Sequence, residues 1–217
     1  LNYITQDYIE SYIRSTLKDR EGLMKDMEEY ASENHVPIVQ KEVAALIEVL
    51  TKAVNAKRVL EVGTAIAYST SIFAFAMGKD GHVTTIERNE NMIEVAKENI
   101  KKNNLENQIK IIQDDAQEVL KYLEGEFDII FLDGAKGQYN DFLDNCLRLL
   151  KVGGIIISDN ILFKGMVATD ELVIRRKRTI VNRMRQYLDY ICNHPHLDTT
   201  IIPIGDGVAI SYKKREV

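Results

Sequence analysis

The feature that most constrains this chain is a change of rhythm after Asn55. Short β-branched runs follow, at Arg58 to Val62, His82 to Glu87, Ile109 to Gln113, Asp128 to Asp133 and Gly154 to Ser158, and they read as strands. Between them lie amphipathic stretches with helical spacing, near Ser69 to Met77, Asn91 to Asn103, Ala116 to Leu123 and Tyr139 to Leu150. Strand and helix in strict alternation predict a doubly wound α/β sheet, because parallel neighbours need a helix-length crossover. A last long helix, about Ile174 to Asn193, precedes two further strands, Thr199 to Ile204 and Val208 to Tyr212. The Gly205-Asp206-Gly207 link between these strands reads as a tight hairpin turn. The expected sheet therefore has seven strands, mostly parallel, with an antiparallel C-terminal hairpin at its edge.

Upstream, Thr5 to about Ala53 is helical in pattern, and Pro37 separates two helices. At 217 residues the chain suits one compact domain and is short for two. We expect a single domain over residues 1–217, with 1–54 as an N-terminal helical extension and 55–217 as the catalytic core. No apolar run approaches the length of about 20 residues that spans a bilayer. The N-terminus lacks a basic segment followed by an apolar one, so no membrane association and a cytoplasmic location are expected. Cys146 and Cys192 have no metal-ligand spacing and read as small core residues.

In such a sheet, ligands bind beyond the carboxyl ends of the strands, so the strand-ending residues carry the chemistry. The first strand runs into Glu61-Val62-Gly63-Thr64-Ala65-Ile66-Ala67-Tyr68-Ser69, and the second ends at Glu87. A carboxylate closing the second strand can accept both hydroxyls of a ribose, which fits an adenosine cofactor. The turn holds one glycine, Gly63, where a dinucleotide site needs GxGxxG to bring backbone up to a pyrophosphate. A cofactor without phosphates is favoured, and a nicotinamide oxidoreductase is disfavoured. S-adenosylmethionine has that character: ribose at Glu87, adenine beside Asp114-Asp115-Ala116, and an amino acid end near Tyr68 and Ser69.

Strand four ends in Asp133-Gly134-Ala135-Lys136, and strand five in Ser158-Asp159-Asn160. Asp133, Asp159 and Asn160 offer two carboxylates and an amide oxygen, a half-shell suited to magnesium or manganese. Such a cation makes a bound hydroxyl more acidic, and Lys136 is spaced to orient or deprotonate the attacking oxygen. The plain alternative for either aspartate is a cap on the following helix or turn.

The net charge of -5 is unevenly spread. From Lys164 to Leu188 there are seven basic and two acidic residues, a local +5 that leaves -10 on the remainder. Ile180, Met184, Leu188 and Ile191 mark an apolar face on this helix, so the charges can be read as a solvated opposite face. Arg175, Arg176, Lys177 and Arg178 repel one another, however, which favours contact with a polyanion.

EVGTAIAYS, ERNE at Glu87 to Glu90, DGAKGQY at Asp133 to Tyr139 and SDN at Ser158 to Asn160 together resemble the class I cation-dependent O-methyltransferases. That group includes the catechol and caffeoyl-coenzyme A O-methyltransferases, and the resemblance runs from about His35 to Tyr212. It implies a Rossmann-like fold, cation ligands at Asp133, Asp159 and Asn160, and a catalytic lysine at Lys136. It also implies methyl-donor contacts at Gly63, Ser69, Glu87 and Asp115, to which Val36, Thr64, Tyr68, Ala116 and Asp133 are added as expected contacts. Ala67 departs from the pattern, since many relatives have glycine there, and its methyl is expected to crowd the donor's amino acid end.

HVPI at His35 to Ile38, DNILFKGMVA, the RRKR run and HPHLDTTIIPIGDGVAIS are similar to the bacterial tRNA 5-hydroxyuridine methyltransferases. This second resemblance implies 5-methoxyuridine formation at the wobble position, with Lys164, Arg175, Arg176, Lys177 and Arg178 binding the anticodon region of tRNA. The other readings are a catechol or phenylpropanoid O-methyltransferase and a non-catalytic RNA-binding module. A homodimer is expected from the resemblance, with Tyr3, Tyr8 and Tyr12 at a dimer seam or over the donor pocket.

Overall fold

The structure, a computed structural model, describes residues 4–215, so Tyr3 lies outside the described residues. Three helices come first: α1 (Asp7–Thr16), α2 (Leu23–Glu33) and α3 (Lys41–Ala53). The sequence pattern predicts one break in this region, at Pro37, but there are two. The first falls before Gly22, whose φ of 54 is left-handed and costs glycine little.

The alternating core follows as β1 (Arg58–Val62), α4 (Tyr68–Met77), β2 (His82–Glu87), α5 (Glu90–Lys102) and β3 (Ile109–Gln113). It continues through α6 (Ala116–Tyr122), β4 (Phe127–Leu132), α7 (Tyr139–Leu149) and β5 (Leu150–Asp159). The last elements are α8 (Arg178–Asn193), β6 (Leu197–Ile202) and β7 (Val208–Lys213). The seven strands lie in the order β3-β2-β1-β4-β5-β7-β6, parallel from β3 to β5, with β7 antiparallel to both β5 and β6.

Each strand side chain alternates face, and both faces are covered. On one face Val59, Phe131 and Ile157 pack against Ile47 of α3, Phe73 of α4 and Ala96 of α5. On the other, Leu60, Ile130 and Ile156 pack against Leu120 of α6, Phe142 of α7 and Met184 of α8. Burial on both faces explains why the central strands β4 and β5 carry unbroken apolar runs, at 129–132 and 155–157.

Four expectations shift at the C-terminal side. The last helix begins at Arg178 and not Ile174, and Arg175–Lys177 form a 3-10 turn before it. Cations crowded at the positive end of a helix dipole disfavour extending the helix backwards. Its buried face is Val181, Met184, Tyr187 and Ile191, so Ile180 and Leu188 are only half-buried flanks. Cys192 is exposed, whereas Cys146 is buried as expected. The hairpin link is a five-residue loop, 203–207, because β6 stops before Pro203, which has no N–H to donate.

The helix α1 stands apart, since none of its residues is buried. Polar contacts hold it: Arg14 donates to both carboxylate oxygens of Glu42 at 2.7 Å and to Gln40 at 2.9 Å. Its apolar residues Tyr8 and Tyr12 are each 72% exposed. No helix among the described residues is long and apolar enough to cross a membrane.

Candidate active site

The strand order reverses between β1 and β4, and at that switch point, beyond the carboxyl ends of the strands, lies a cavity of about 1030 Å³. Its volume is at the upper end of small-molecule sites, with room for a donor and the reacting part of an acceptor. The residues Val36, Gly63, Glu87, Asp133, Lys136, Asp159, Asn160 and Lys164 all line it. The loop before α3 closes the opposite side through His35, Pro37 and Gln40.

The donor side is built on backbone fit. Gly63 has φ 103, and a Cβ there would sit 2.9 Å from the Gly134 nitrogen, so β1 and β4 turn away from each other in direct contact. Glu87 is fixed by three backbone N–H donors, Ala65 at 3.1 Å, Arg88 at 3.0 Å and Asn89 at 2.9 Å. Oxygens held that way at the cavity edge remain able to accept the hydroxyls of a ribose.

Other expected donor contacts are placed behind the cavity wall. The Ser69 hydroxyl donates to Glu61 at 2.5 Å, Thr70 donates to the same carboxylate, and Thr85 donates at 2.7 Å while bonding Thr64 at 2.6 Å. Glu61 is fully buried, and burial raises its pKa to about 7 against the pull of these hydroxyls. Tyr68 is buried with its hydroxyl on Glu28 of α2. Asp115 caps α6 through the Gln117 N–H at 2.9 Å and meets Arg88 at 3.2 Å, so with Ala116 it stands beyond the cavity rim. The expected crowding by Ala67 does not occur in the cavity: its side chain is packed in the core, and its cost is a left-handed φ of 66.

The acceptor side rests on the register of β4 and β5. Leu132 pairs with Ser158, so the next residues, Asp133 and Asp159, leave their strands at the same level. The buried Tyr139 hydroxyl ties the two strand ends, 2.8 Å from the Leu132 carbonyl and 3.2 Å from that of Asp159. Ala135, at φ 57, turns the chain into the 3-10 turn Lys136–Gln138 and brings Lys136 back to the mouth.

The electrostatics of this corner are short of positive charge. Burial first, and then the neighbouring Asp159 carboxylate, raise the Asp133 pKa well above the carboxylate range. Burial pushes Asp159 up to about 6, although the Asn160 N–H at 2.7 Å and the Lys136 charge pull it down. Among the described residues the Asp133 carboxylate receives no hydrogen bond, and neither the Asn160 amide nor the Lys136 ammonium makes a hydrogen bond or a close ion pair. Two strained carboxylates, a free amide oxygen and an open cavity fit a hard cation. No group of three or more His, Cys, Asp or Glu gathers among the described residues, so a cation here would also take oxygens from acceptor or water.

The cationic stretch divides by what it touches. Arg183 donates to the Gly137 carbonyl at 2.9 Å, and Arg185 to the Val167 carbonyl at 2.9 Å and to Asp170 at 2.7 Å. These two bind α8 to the segments that carry Lys136 and Lys164. Lys177 lies 5.6 Å from the Phe163 ring. The side chains of Lys164, Arg175, Arg176 and Arg178 make no hydrogen bond or ion pair among the described residues.

Sequence reasoning passed over Asp206, which lines the same cavity as Asp133 and Asp159. As part of a glycine-rich link it reads as turn chemistry only. Its place follows from β7 pairing antiparallel to β5, with Val208 opposite Asp159.

The sequence matches the O-methyltransferase family over residues 14–214. It is 33% identical over 171 residues to a caffeoyl-CoA O-methyltransferase of Populus kitakamiensis, covering 76% of this chain and 73% of that protein. It is 31% identical over 189 residues to a flavonoid 3',5'-methyltransferase of Vitis vinifera, covering 83% and 79%. A solved structure from Staphylococcus aureus superposes with a TM-score of 0.89 at 37% identity, covering 95% of this chain and all of the other. The fold is shared as well with the O-methyltransferase TomG of Streptomyces achromogenes, solved with S-adenosylmethionine, at a TM-score of 0.84 and 21% identity over 96% of each chain. The chain belongs to the O-methyltransferase family.

Proposed function

We propose that the chain methylates a hydroxyl on an acceptor that presents two adjacent oxygens to a divalent cation, magnesium or manganese, held by Asp133, Asp159 and Asn160. The observation that carries this reading is the pair of proton-hungry carboxylates, level with each other at adjacent strand ends and open to the donor cavity. A cation bound there would supply the charge that makes the acceptor hydroxyl more acidic. Glu87 and the Gly63 turn hold the donor with its sulfonium methyl toward this corner. Lys136 orients the attacking oxygen and stabilises the negative charge left when its proton passes to solvent water. The oxygen then forms a bond to the methyl carbon as the carbon–sulfur bond breaks and sulfur keeps the pair. Positioning supplies most of the acceleration, since the chain forms no covalent intermediate.

For the acceptor we favour a 5-hydroxyuridine at the tRNA wobble position, whose 5-hydroxyl and C4 carbonyl form such an oxygen pair. The support is that Lys164 lines the cavity, that Lys177 lies against the ring of Phe163 next to it in the chain, and that Arg175, Arg176 and Arg178 make no hydrogen bond or ion pair among the described residues. They suit the phosphates around a base splayed into the cavity. The second reading is a phenolic small molecule, and the names of the plant relatives favour it. Both acceptors use the same cation corner.

Nucleoside analysis of tRNA from cells lacking the chain separates them. The tRNA reading expects 5-hydroxyuridine to accumulate as 5-methoxyuridine disappears. Unchanged tRNA nucleosides, with purified protein methylating caffeoyl-CoA, would assign the small-molecule reading instead.

A further inference from the structure

The segment that leaves the cation corner has an unusual backbone. Asn160, Phe163 and Lys164 have φ of 58, 43 and 57, all left-handed. Non-glycine residues stay in that region only where their surroundings over-determine it. Here the loop between β6 and β7 does so. The Ile161 N–H donates to the Gly207 carbonyl at 3.0 Å, and the Leu162 N–H to the Asp206 carbonyl at 3.0 Å. The Lys164 N–H donates to the Asp206 carboxylate at 2.5 Å.

The flanking glycines permit this fit. A Cβ on Gly207, at φ 86, would lie 2.5 Å from Cγ of Leu162, and one on Gly205, at φ 57, would lie 2.8 Å from a methyl of Val43. Asp206 is thus pressed between the 160–164 segment and α3. It has no ion-pair partner among the described residues and joins no cluster of three metal-ligating groups. Its carboxylate accepts one hydrogen bond, from the backbone of the segment that carries Asn160, and it feels the charges of Lys136 and Lys164.

We propose that Asp206 is a positioning residue: by accepting the Lys164 N–H it holds the left-handed 160–164 segment so that the Asn160 amide oxygen faces the cation corner. This rests on the cation reading above. Without an acceptor at position 206 the Lys164 N–H loses its partner, the segment relaxes toward extended backbone, and Asn160 turns away from Asp133 and Asp159. The donor side, built on Gly63 and Glu87, is untouched. An asparagine at 206 keeps an acceptor oxygen and removes the charge.

The test measures manganese binding by electron paramagnetic resonance, with S-adenosylhomocysteine present, and S-adenosylhomocysteine binding by calorimetry. Outer-shell groups of this kind change metal affinity by about 10- to 100-fold. Asp206→Ala is expected to weaken manganese by roughly that factor, and Asp206→Asn to restore it to within about threefold of the unaltered protein. S-adenosylhomocysteine affinity should stay constant throughout. Gly207→Ala, which displaces Leu162 and leaves the carboxylate in place, should weaken manganese in the same way. It stands in for Asp206→Ala if that variant also loses S-adenosylhomocysteine. Unaltered manganese affinity in Gly207→Ala or in a donor-competent Asp206→Ala would overturn the proposal, as would Asp206→Asn binding as weakly as Asp206→Ala. An unaltered protein that binds no manganese would instead refute the cation reading.

Discussion

Asp133 and Asp159 each hold a proton more tightly in the fold than an exposed carboxylate would, because burial penalises their charge. The sign of the consequence is fixed. Each group binds more protons folded than unfolded, so the metal-free protein loses stability as pH rises from the ordinary value of 3.8 through about 6 for Asp159, and Asp133 adds a loss of the same sign. A cation competes with those protons and compensates the exposed charge. The rise in melting temperature on adding magnesium should therefore be small near about pH 5 and large near about pH 8. Saturation at about 100 times Kd corresponds to about 2.7 kcal/mol. Thermal melts with magnesium or chelator across that range check this, and a gain independent of pH would contradict it. These two aspartates are legible in the sequence because each ends an apolar strand. Glu61 is not, because a buried carboxylate inside such a strand gives no signal until Ser69, Thr70 and Thr85 are seen to converge on it.

Among the elements, α8 separates structural from available charge. Arg183 and Arg185 anchor the helix to the catalytic segments, so their loss should loosen the site itself. Arg175, Arg176 and Arg178 have no such duty. Neutralising these three together should weaken tRNA binding and reduce the salt slope by about 0.7 per lost phosphate contact, leaving donor affinity unchanged. Filter binding across a salt series measures both, and an unchanged slope would remove the basic run from the acceptor site. The period of α8 is readable and its phase only in part: Met184 and Ile191 are buried as the pattern marks them. The sequence pattern marks Ile180 and Leu188, whereas Val181 and Tyr187 are buried, because Tyr187 bonds the Ser158 hydroxyl and aligns the helix on β5. The Gly22 break was hidden for a related reason. Helix α1 buries none of its residues, so packing in the core does not fix where it ends.

At the scale of the whole molecule, one topological fact organises the chemistry. The sheet reverses between β1 and β4, which opens the cavity, and β7 runs back along β5, which brings Asp206 to the cavity that Asp133 and Asp159 line. Alternation in the sequence predicts the reversal, and the hairpin predicts an antiparallel edge. Which strand the hairpin joins depends on long-range pairing that local residues do not encode. The N-terminal segments line the cavity through Glu10, His35 and Gln40, and Lys164 lines it after β5.

Methyl transfer from labelled S-adenosylmethionine to tRNA carrying 5-hydroxyuridine, and in parallel to caffeoyl-CoA, tests the cation most directly. Transfer to one acceptor should proceed with magnesium, stop in chelator, return when magnesium is restored, and be absent in Asp133→Ala and Asp159→Ala proteins that still bind S-adenosylhomocysteine. Full transfer in chelator, or by either variant, would contradict the account.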